Sequence, residues 1–239
     1  MSTFMVYTKR LLIIAVCLLF IMFLSVDVYD VEFPLPSKVL KFLTILLCMV
    51  ISIISSTLKR QSKNIFLLQL GLIFTTMADY IFLIHGDNYS IAIGLFSIVQ
   101  IVYSLRYREG NELMRILGFG IIYFVIIIIY KMIGTYFNIN FLIVISVFYG
   151  ICLISSLKEA IYLFKDNSYI FLNRIILLGM ILFFLCDINL GFNYILGSLN
   201  NIDYVLNLLK RIASISIWMY YIPSQILLSL SGSLNFNNQ

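Results

Sequence analysis

Residues Ile65–His85 read IFLLQLGLIFTTMADYIFLIH. The stretch is long enough to cross a bilayer as one helix, yet it carries a carboxylate, Asp79, in its second half. A charge at that depth costs roughly 2.5–3.5 kcal/mol on membrane-insertion scales. We therefore expect the side chain to face protein or water and to have a function. Asp187 repeats the arrangement in a second apolar run, LFFLCDINL at residues 182–190. These two aspartates are the candidate catalytic residues.

The composition is that of a membrane protein. Of the 239 residues, 62% are hydrophobic and 11% are charged, whereas a soluble domain carries about 25% charged residues. Segments that cross lipid must be helices or closed barrels, because their backbone groups need internal hydrogen bonds. Long apolar runs without strict alternation favour helices. The sequence predicts an all-α fold, a polytopic bundle of transmembrane helices that forms one domain over residues 1–239.

The apolar runs divide this domain into eight predicted spans. They cover residues 11–26, 38–58, 65–85, 89–105, 113–133, 141–157, 169–193 and 212–230. The first resembles a signal peptide but has no small-x-small cleavage site after it, so we expect a retained helix. The sixth is expected to continue as a surface helix to residue 164, and residues 203–211 to lead into the eighth. Asp27, Asp30 and Glu32 are predicted to form an acidic loop after the first span. Polar segments at 59–63, 138–140, 197–201 and 231–239 are also predicted to lie between or after the spans.

Basic residues predict the orientation. With eight spans, eleven of the 16 Lys and Arg residues fall on the side of the N-terminus and five on the other. The positive-inside rule then places both termini in the cytoplasm and both aspartates in the outer half of the bilayer. The net charge of +5 is explained by these topology signals, so no nucleic-acid partner is expected. Each aspartate is followed on the next span by a glutamine, Gln100 or Gln225, which leaves open a parallel 4+4 repeat of roughly residues 11–108 and 113–232.

Metal chemistry finds little support in the sequence. His85 is the single histidine, which excludes a site of several histidines. The four cysteines lie in apolar segments without a C-x-x-C pair, as small buried hydrophobic residues do. We expect neither a metal nor a cofactor.

Three motifs and one lysine surround the aspartates. The first motif is Ala78-Asp79, followed on the next span by Gly94, Phe96, Gln100 and Tyr103. The second is a Phe-rich run with Asp187 and Asn193, and the third is Tyr221-x-x-x-Gln225. The lysine is Lys41, near the start of the second span. Together they resemble the YhhN family of lysoplasmalogenases, in the same order and over most of the chain. The chain departs from the family at Ala78, Gln100 and Phe42, where Gly, His and Pro are usual.

The resemblance implies hydrolysis of the vinyl ether of a lysoplasmalogen, giving a fatty aldehyde and glycerophosphoethanolamine or glycerophosphocholine. The partners it implies are the ether lysophospholipid substrate and bilayer lipid, and a bacterial plasma membrane is the expected location. Vinyl ethers hydrolyse by slow proton transfer to carbon, which needs one protonated carboxyl group and one carboxylate. Burial and a nearby second carboxylate can keep one of two carboxyl groups protonated while the other is ionised, as in glycosidases. Asp79 and Asp187 can supply the pair, and the sequence leaves open which is the acid.

Other polar residues are candidates to assist the two aspartates or to bind the substrate. Gln100, Gln225 and Asn193 are candidates to hold water or orient the carboxyl groups, and Tyr103 and Tyr221 to donate hydrogen bonds to them. Lys41 is a candidate to neutralise an aspartate or to meet the substrate phosphate. Simpler alternatives stay open: plain interhelical hydrogen bonds for the amides, an interface lysine, and structural pairs for the aspartates.

Two other functions fit the same residues. Carboxyl groups inside a membrane also mark proton relays, which would make the protein a small proton-coupled transporter. A non-catalytic lipid-binding protein is the third possibility, and it is favoured if Gln100 signals the loss of the proton chemistry.

Overall fold

A computed structural model describes residues 3–29, 32–57, 63–108, 110–134, 140–166, 169–198 and 203–232. These residues form eight helices that are long and apolar enough to cross a membrane, and no strand. The helices are α1 (Thr3–Tyr29), α2 (Ser37–Thr57), α3 (Lys63–Asp79) with a π-helical extension (Tyr80–His85), α4 (Tyr89–Tyr107), α5 (Glu112–Gly134), α6 (Phe141–Asp166), α7 (Phe171–Gly197) and α8 (Tyr204–Ser231). The predicted all-α fold with eight spans is confirmed.

Several helix ends differ from the prediction. Helix α6 runs without a break to Asp166, so the expected surface extension is part of the same helix. Helix α8 begins at Tyr204, eight residues before the predicted start of the span. Its two cations do not interrupt it, because Arg211 donates to the carbonyl oxygen of Val28 at 3.1 Å and Lys210 lies beside Gly197. The predicted polar segments at residues 59–62, 138–139, 199–201 and 233–239 lie outside the described residues. The orientation in the membrane and the internal repeat stay predictions.

The core of the bundle is built by α7 packed along α8, by α4 between α3 and α6, and by α1 on α2. Helix α5 lies at the periphery, where Phe119 packs into a small cluster with α6 while the apolar side chains around it stay exposed to the membrane. The polar side chains described below project from the central helices.

Small residues allow two of the central pairs to approach closely, as is usual between membrane helices. On α3, Gly71 faces the ring of Tyr103 from α4. On α7, the carbonyl oxygen of Gly179 accepts a hydrogen bond from the hydroxyl of Ser224 on α8 at 2.8 Å, and Leu228 covers the same glycine. These contacts set the register of α3 against α4 and of α7 against α8.

The hydrogen-bond pattern of the third span changes at Asp79. Residues Tyr80–His85 are π-helical, and the N–H of Gly86 closes the segment by donating to the carbonyl oxygen of Ile81 at 3.0 Å. Gly86 has φ of +76°, in the left-handed region that glycine tolerates best. Short π-helical segments are frequent at functional sites. The widened turn follows directly after the carboxyl group that the sequence singles out.

The contact between Gly71 and Tyr103 makes a testable prediction about stability. A Cβ atom added at Gly71 would lie 2.4 Å from Cε1 of Tyr103, whose ring is fully buried and stacks on Tyr107 at 6.0 Å. We expect Gly71→Ala to destabilise the protein by about 1–3 kcal/mol through overpacking and to lower the thermal unfolding midpoint in detergent.

The matched control is Gly118→Ala on α5, where a Cβ atom meets nothing within 4 Å. This variant should keep or raise the midpoint, because alanine is the better helix former. Equal midpoints for the two variants would contradict the close packing of α3 on α4.

Candidate active site

Asp79 lies in the interior of the bundle, at the last α-helical residue of α3. Its side chain is 3% exposed, and its Oδ2 accepts a hydrogen bond from the hydroxyl of Tyr221 on α8 at 2.6 Å. Tyr221 is one of the two tyrosines that the sequence indicates as candidate donors to a carboxyl group. The buried carboxyl group is therefore held by a phenol rather than by a cation.

Asp187 on α7 has the same kind of partner. Its Oδ2 accepts a hydrogen bond from the hydroxyl of Tyr149 on α6 at 2.6 Å. Asp187 is half-buried, so it is more accessible than Asp79. Tyr149 is not predicted from the sequence, because nothing in the run Phe148-Tyr149-Gly150 distinguishes it from the other tyrosines of a chain that has 16.

The two tyrosine–aspartate pairs belong to one site. The charges of Asp79 and Asp187 are close enough to interact, and the side chain of Cys186 lies near both. A row of aromatic rings joins the two tyrosines. Its successive centroid distances are 6.2 Å for Tyr149–Phe96, 6.4 Å for Phe96–Phe183 and 5.6 Å for Phe183–Tyr221. The two carboxyl groups thus stand at the ends of an apolar wall.

Gln100 supports the Asp187 side of the site. It is fully buried on α4, its Oε1 accepts a hydrogen bond from the hydroxyl of Ser156 at 2.6 Å, and its side chain lies beside the hydroxyl of Tyr149. It therefore reaches Asp187 through a tyrosine rather than directly.

Gln225 lies one turn after Tyr221 on α8 and is fully buried. Among the described residues, neither its amide nitrogen nor its amide oxygen has a hydrogen-bond partner. Buried amides are normally satisfied by protein or water. Gln225 thus keeps the capacity to hold a water molecule or a polar part of a ligand next to the Tyr221–Asp79 pair.

Two predicted supporting residues lie away from the carboxyl groups. The ring of Tyr103 packs against Gly71, and its hydroxyl lies beside Thr75, one turn of α3 before Asp79. Asn193 is half-buried on α7, six residues or about 9 Å of helix beyond Asp187. Within the described residues, neither side chain forms a hydrogen bond to Asp79 or Asp187. A direct role at the carboxyl groups is not supported for these two.

Lys41 pairs with Asp27, which the sequence predicts to lie in a loop. Its Nζ lies 2.6 Å from Oδ2 of Asp27, near the end of α1. The hydroxyl of Ser37 donates to Oδ1 of the same carboxylate at 2.6 Å. Asp27 is in this position because α1 continues to Tyr29, beyond the predicted end of the first span. The assignment of Asp27 to a loop was wrong.

Aromatic rings connect this ion pair to the carboxyl groups. The Nζ of Lys41 lies 4.6 Å from the ring centroid of Trp218 and 5.6 Å from that of Phe23. Trp218 in turn contacts Tyr221, with ring centroids 5.8 Å apart. Lys41 is thus separated from Asp79 by two side chains of α8.

Within the described residues, no group of three or more His, Cys, Asp or Glu side chains is placed to hold a metal ion. The chemistry that the site offers comes from two carboxyl groups, two phenols and two amides, in an apolar surrounding. Such a set can donate a proton, stabilise a cation and position water.

Comparison with known proteins places the chain in a family. No curated protein and no solved structure matches it. The model of the YhhN family matches residues 37–232, which include α2 to α8 and all eight candidate residues named from the sequence. Because that match covers most of its length, the chain belongs to the YhhN family.

Proposed function

We propose that the protein is a lysoplasmalogenase-type hydrolase, which cleaves the vinyl ether of a lysoplasmalogen to a fatty aldehyde and glycerophosphoethanolamine or glycerophosphocholine. The observation that carries the proposal is the pair Asp79 and Asp187, within electrostatic range of each other in a bundle of apolar helices. Within the described residues, neither takes part in an ion pair, and each is held by a tyrosine hydroxyl. Membership of the YhhN family supports the same reaction class.

The first step is transfer of a proton from a carboxyl group to the vinyl carbon farther from the ether oxygen. Asp79 is the better candidate for the donor, because it is the more buried of the two and burial disfavours a charge. Tyr221 occupies its Oδ2, so the proton would be carried on Oδ1. The electron pair of the double bond forms the new C–H bond, and the neighbouring carbon becomes an oxocarbenium ion.

The second step is capture of that ion by water. Asp187, ionised and fixed by Tyr149, stabilises the positive charge and accepts a proton from the attacking water. The resulting hemiacetal breaks its bond to the glycerol oxygen, which takes the proton from Asp187 and leaves as the alcohol. The hydroxyl of the hemiacetal gives its proton to Asp79 and becomes the carbonyl of the aldehyde, so both carboxyl groups return to their starting states. One water is consumed and one aldehyde is formed, so the reaction needs no oxidant, reductant or cofactor.

The aromatic row between the pairs suits this substrate. Phe96 and Phe183 offer an apolar surface between the two carboxyl groups, where the first carbons of the lipid chain would lie. The vinyl ether is the point at which the hydrocarbon chain joins the polar glycerol. A site with carboxyl groups on an apolar wall inside a membrane matches that junction.

Substitution of either carboxyl group should remove most of the activity. Asp79→Asn and Asp187→Asn should each reduce aldehyde release by roughly 10²–10⁴-fold, the range of general acid–base catalysis. Asparagine keeps an oxygen for the tyrosine hydroxyl, so folding should survive. The measurement is aldehyde release from lysoplasmenylethanolamine by purified protein in detergent.

The control for this experiment is Asp87→Asn, which changes an exposed carboxylate in the turn after the third span and should keep the wild-type rate. A well-folded wild-type protein that releases no aldehyde across pH, with either headgroup, would overturn the hydrolase. If either Asn variant instead lost uptake driven by a pH gradient, the protein would be a proton-coupled transporter. A protein indifferent to both substitutions in either assay would be a non-catalytic lipid binder.

Removal of either tyrosine hydroxyl should slow the reaction. Tyr149→Phe and Tyr221→Phe each remove a hydrogen bond to a carboxyl group, an interaction of about 1.5–3 kcal/mol. We expect kcat to fall by about 10–100-fold with KM nearly unchanged, because the phenols orient the carboxyl groups and do not bind the lipid.

Tyr123→Phe is the matched control, since Tyr123 lies on the peripheral α5 with its ring against Phe148. Its kinetics should equal those of the wild type. A rise in KM alone in the Tyr149 or Tyr221 variants would assign the phenols to substrate binding instead.

A further inference from the structure

We propose that Lys41 and Asp27 bind the headgroup of a zwitterionic lysophospholipid, with Lys41 taking its phosphate and Asp27 its ammonium group. The proposal deepens the hydrolase assignment and takes from it the class of ligand. It adds a site outside the two carboxyl groups and a residue, Asp27, that lies before the region matched by the family.

The ion pair retains bonding capacity in both of its partners. The ammonium of Lys41 has three donors, of which Asp27 takes one at 2.6 Å. The carboxylate of Asp27 has about four acceptor positions, and it receives Lys41 on Oδ2 and Ser37 on Oδ1. The two side chains are 12% and 21% exposed, so the pair is enclosed but still reachable. A ligand can therefore add a phosphate oxygen to Lys41 and an ammonium group to Asp27 without breaking the pair.

The rings around the pair fix the position of the cation. The Nζ of Lys41 lies over Trp218 and within 5.6 Å of the centroid of the fully buried Phe23. Ring faces attract cations, so the ammonium is held at one point of the helix bundle. A fixed charge selects a ligand by geometry, whereas a mobile interface lysine would not.

The spacing along α8 between the residues that contact Lys41 and Asp79 suits a lysophospholipid. Trp218 beneath Lys41 and Tyr221 on Asp79 are three residues apart on α8, about 4.5 Å along the axis. In a lysoplasmalogen, the phosphate and the vinyl ether are carried by the two outer carbons of one glycerol unit. A headgroup at Lys41 would therefore bring the vinyl ether to Asp79.

Charge decides between zwitterionic and anionic headgroups. Lys41 and Asp27 together carry no net charge, and a headgroup with one phosphate diester and one ammonium is also neutral. Such a ligand matches each charge of the pair with its opposite. An anionic headgroup would bring its phosphate to Lys41 but leave Asp27 facing a second negative or neutral group. The pair therefore discriminates against anionic lysolipids.

A direct readout of the site is present in the chain, because Trp218 is its single tryptophan. The experiment titrates the full-length protein, in a non-ionic detergent, with 1-O-alkyl lysophosphatidylethanolamine, whose saturated ether cannot be hydrolysed. The comparison ligand is 1-O-alkyl lysophosphatidylglycerol of the same chain length, which is anionic. Quenching or shift of tryptophan fluorescence gives the Kd for each.

For the wild type we expect saturable binding, with the zwitterionic lipid at least about tenfold tighter than the anionic one. Asp27→Asn should lose or reverse that ratio, because it removes the ammonium partner and leaves Lys41 uncompensated. Lys41→Gln should weaken both lipids. Glu112→Gln is the matched control, since it breaks the ion pair between Glu112 and Lys63 and should keep the wild-type ratio.

A structural ion pair that only ties α1 to α2 gives a different result. Folded Asp27→Asn with the wild-type ratio of Kd values would overturn the proposal. If that variant does not fold, the wild-type protein still decides, because equal affinity for the two headgroups would also overturn it. Headgroup discrimination without aldehyde release from a vinyl-ether substrate would retain the site and reject the hydrolase. Aldehyde release without headgroup discrimination would retain the hydrolase and reject the headgroup site.

Discussion

The structure depends on the constraint that polar groups inside a bilayer must find partners within the protein. For the two carboxyl groups, Gln100 and Lys41, those partners come from other helices. Phenols of α8 and α6 bind the carboxyl groups of α3 and α7, a serine of α6 binds the glutamine of α4, and the lysine of α2 binds the aspartate of α1. Each of these bonds is short and joins a specific pair of helices. The contacts that neutralise the cost of burial therefore also fix which helices are neighbours and at what height.

The same constraint explains why the fold was predictable and the site only partly so. Apolar runs are local, and they predicted all eight helices to within about four residues except at the starts of α1 and α8 and at the end of α6. Interhelical partners are not local: Tyr149 lies 38 residues from Asp187, and Tyr221 lies 142 residues from Asp79. A rare intramembrane carboxylate stands out in a sequence, whereas the tyrosine that binds it does not. The sequence therefore identified both aspartates and missed Tyr149.

The position of Tyr103 and the π-helical segment depend on side-chain packing, which the sequence pattern does not show. Tyr103 points toward Gly71 and Thr75 because the glycine leaves room for a ring at that level of α3, so it misses the carboxyl groups. The π-helical segment after Asp79 is formed by ordinary apolar residues, Tyr80 to His85, that would equally suit an α-helix. Its closure by Gly86 in the left-handed region is the single local signal, and that glycine reads in the sequence as a turn. Backbone geometry next to the carboxyl group thus depends on the whole bundle.

Two contacts of α8 connect the proposed catalytic pair with the proposed headgroup site. Within about one turn of α8, Tyr221 contacts the carboxyl group of α3 and Trp218 contacts the ammonium of α2. The Tyr221–Asp79 contact and the Tyr149–Asp187 contact are both made by helices inside the region that the family model matches. The contact of Trp218 with Lys41 also needs Asp27 from α1, which precedes that region. A different first helix would therefore change the proposed headgroup site at Lys41 and Asp27 and leave the carboxyl pair unchanged. Since Lys41 contacts both Asp27 and Trp218, a change of charge at Asp27 would act on the lysine first and on Asp79 only through two rings, which separates the proposed selection of the lipid from the proposed chemistry.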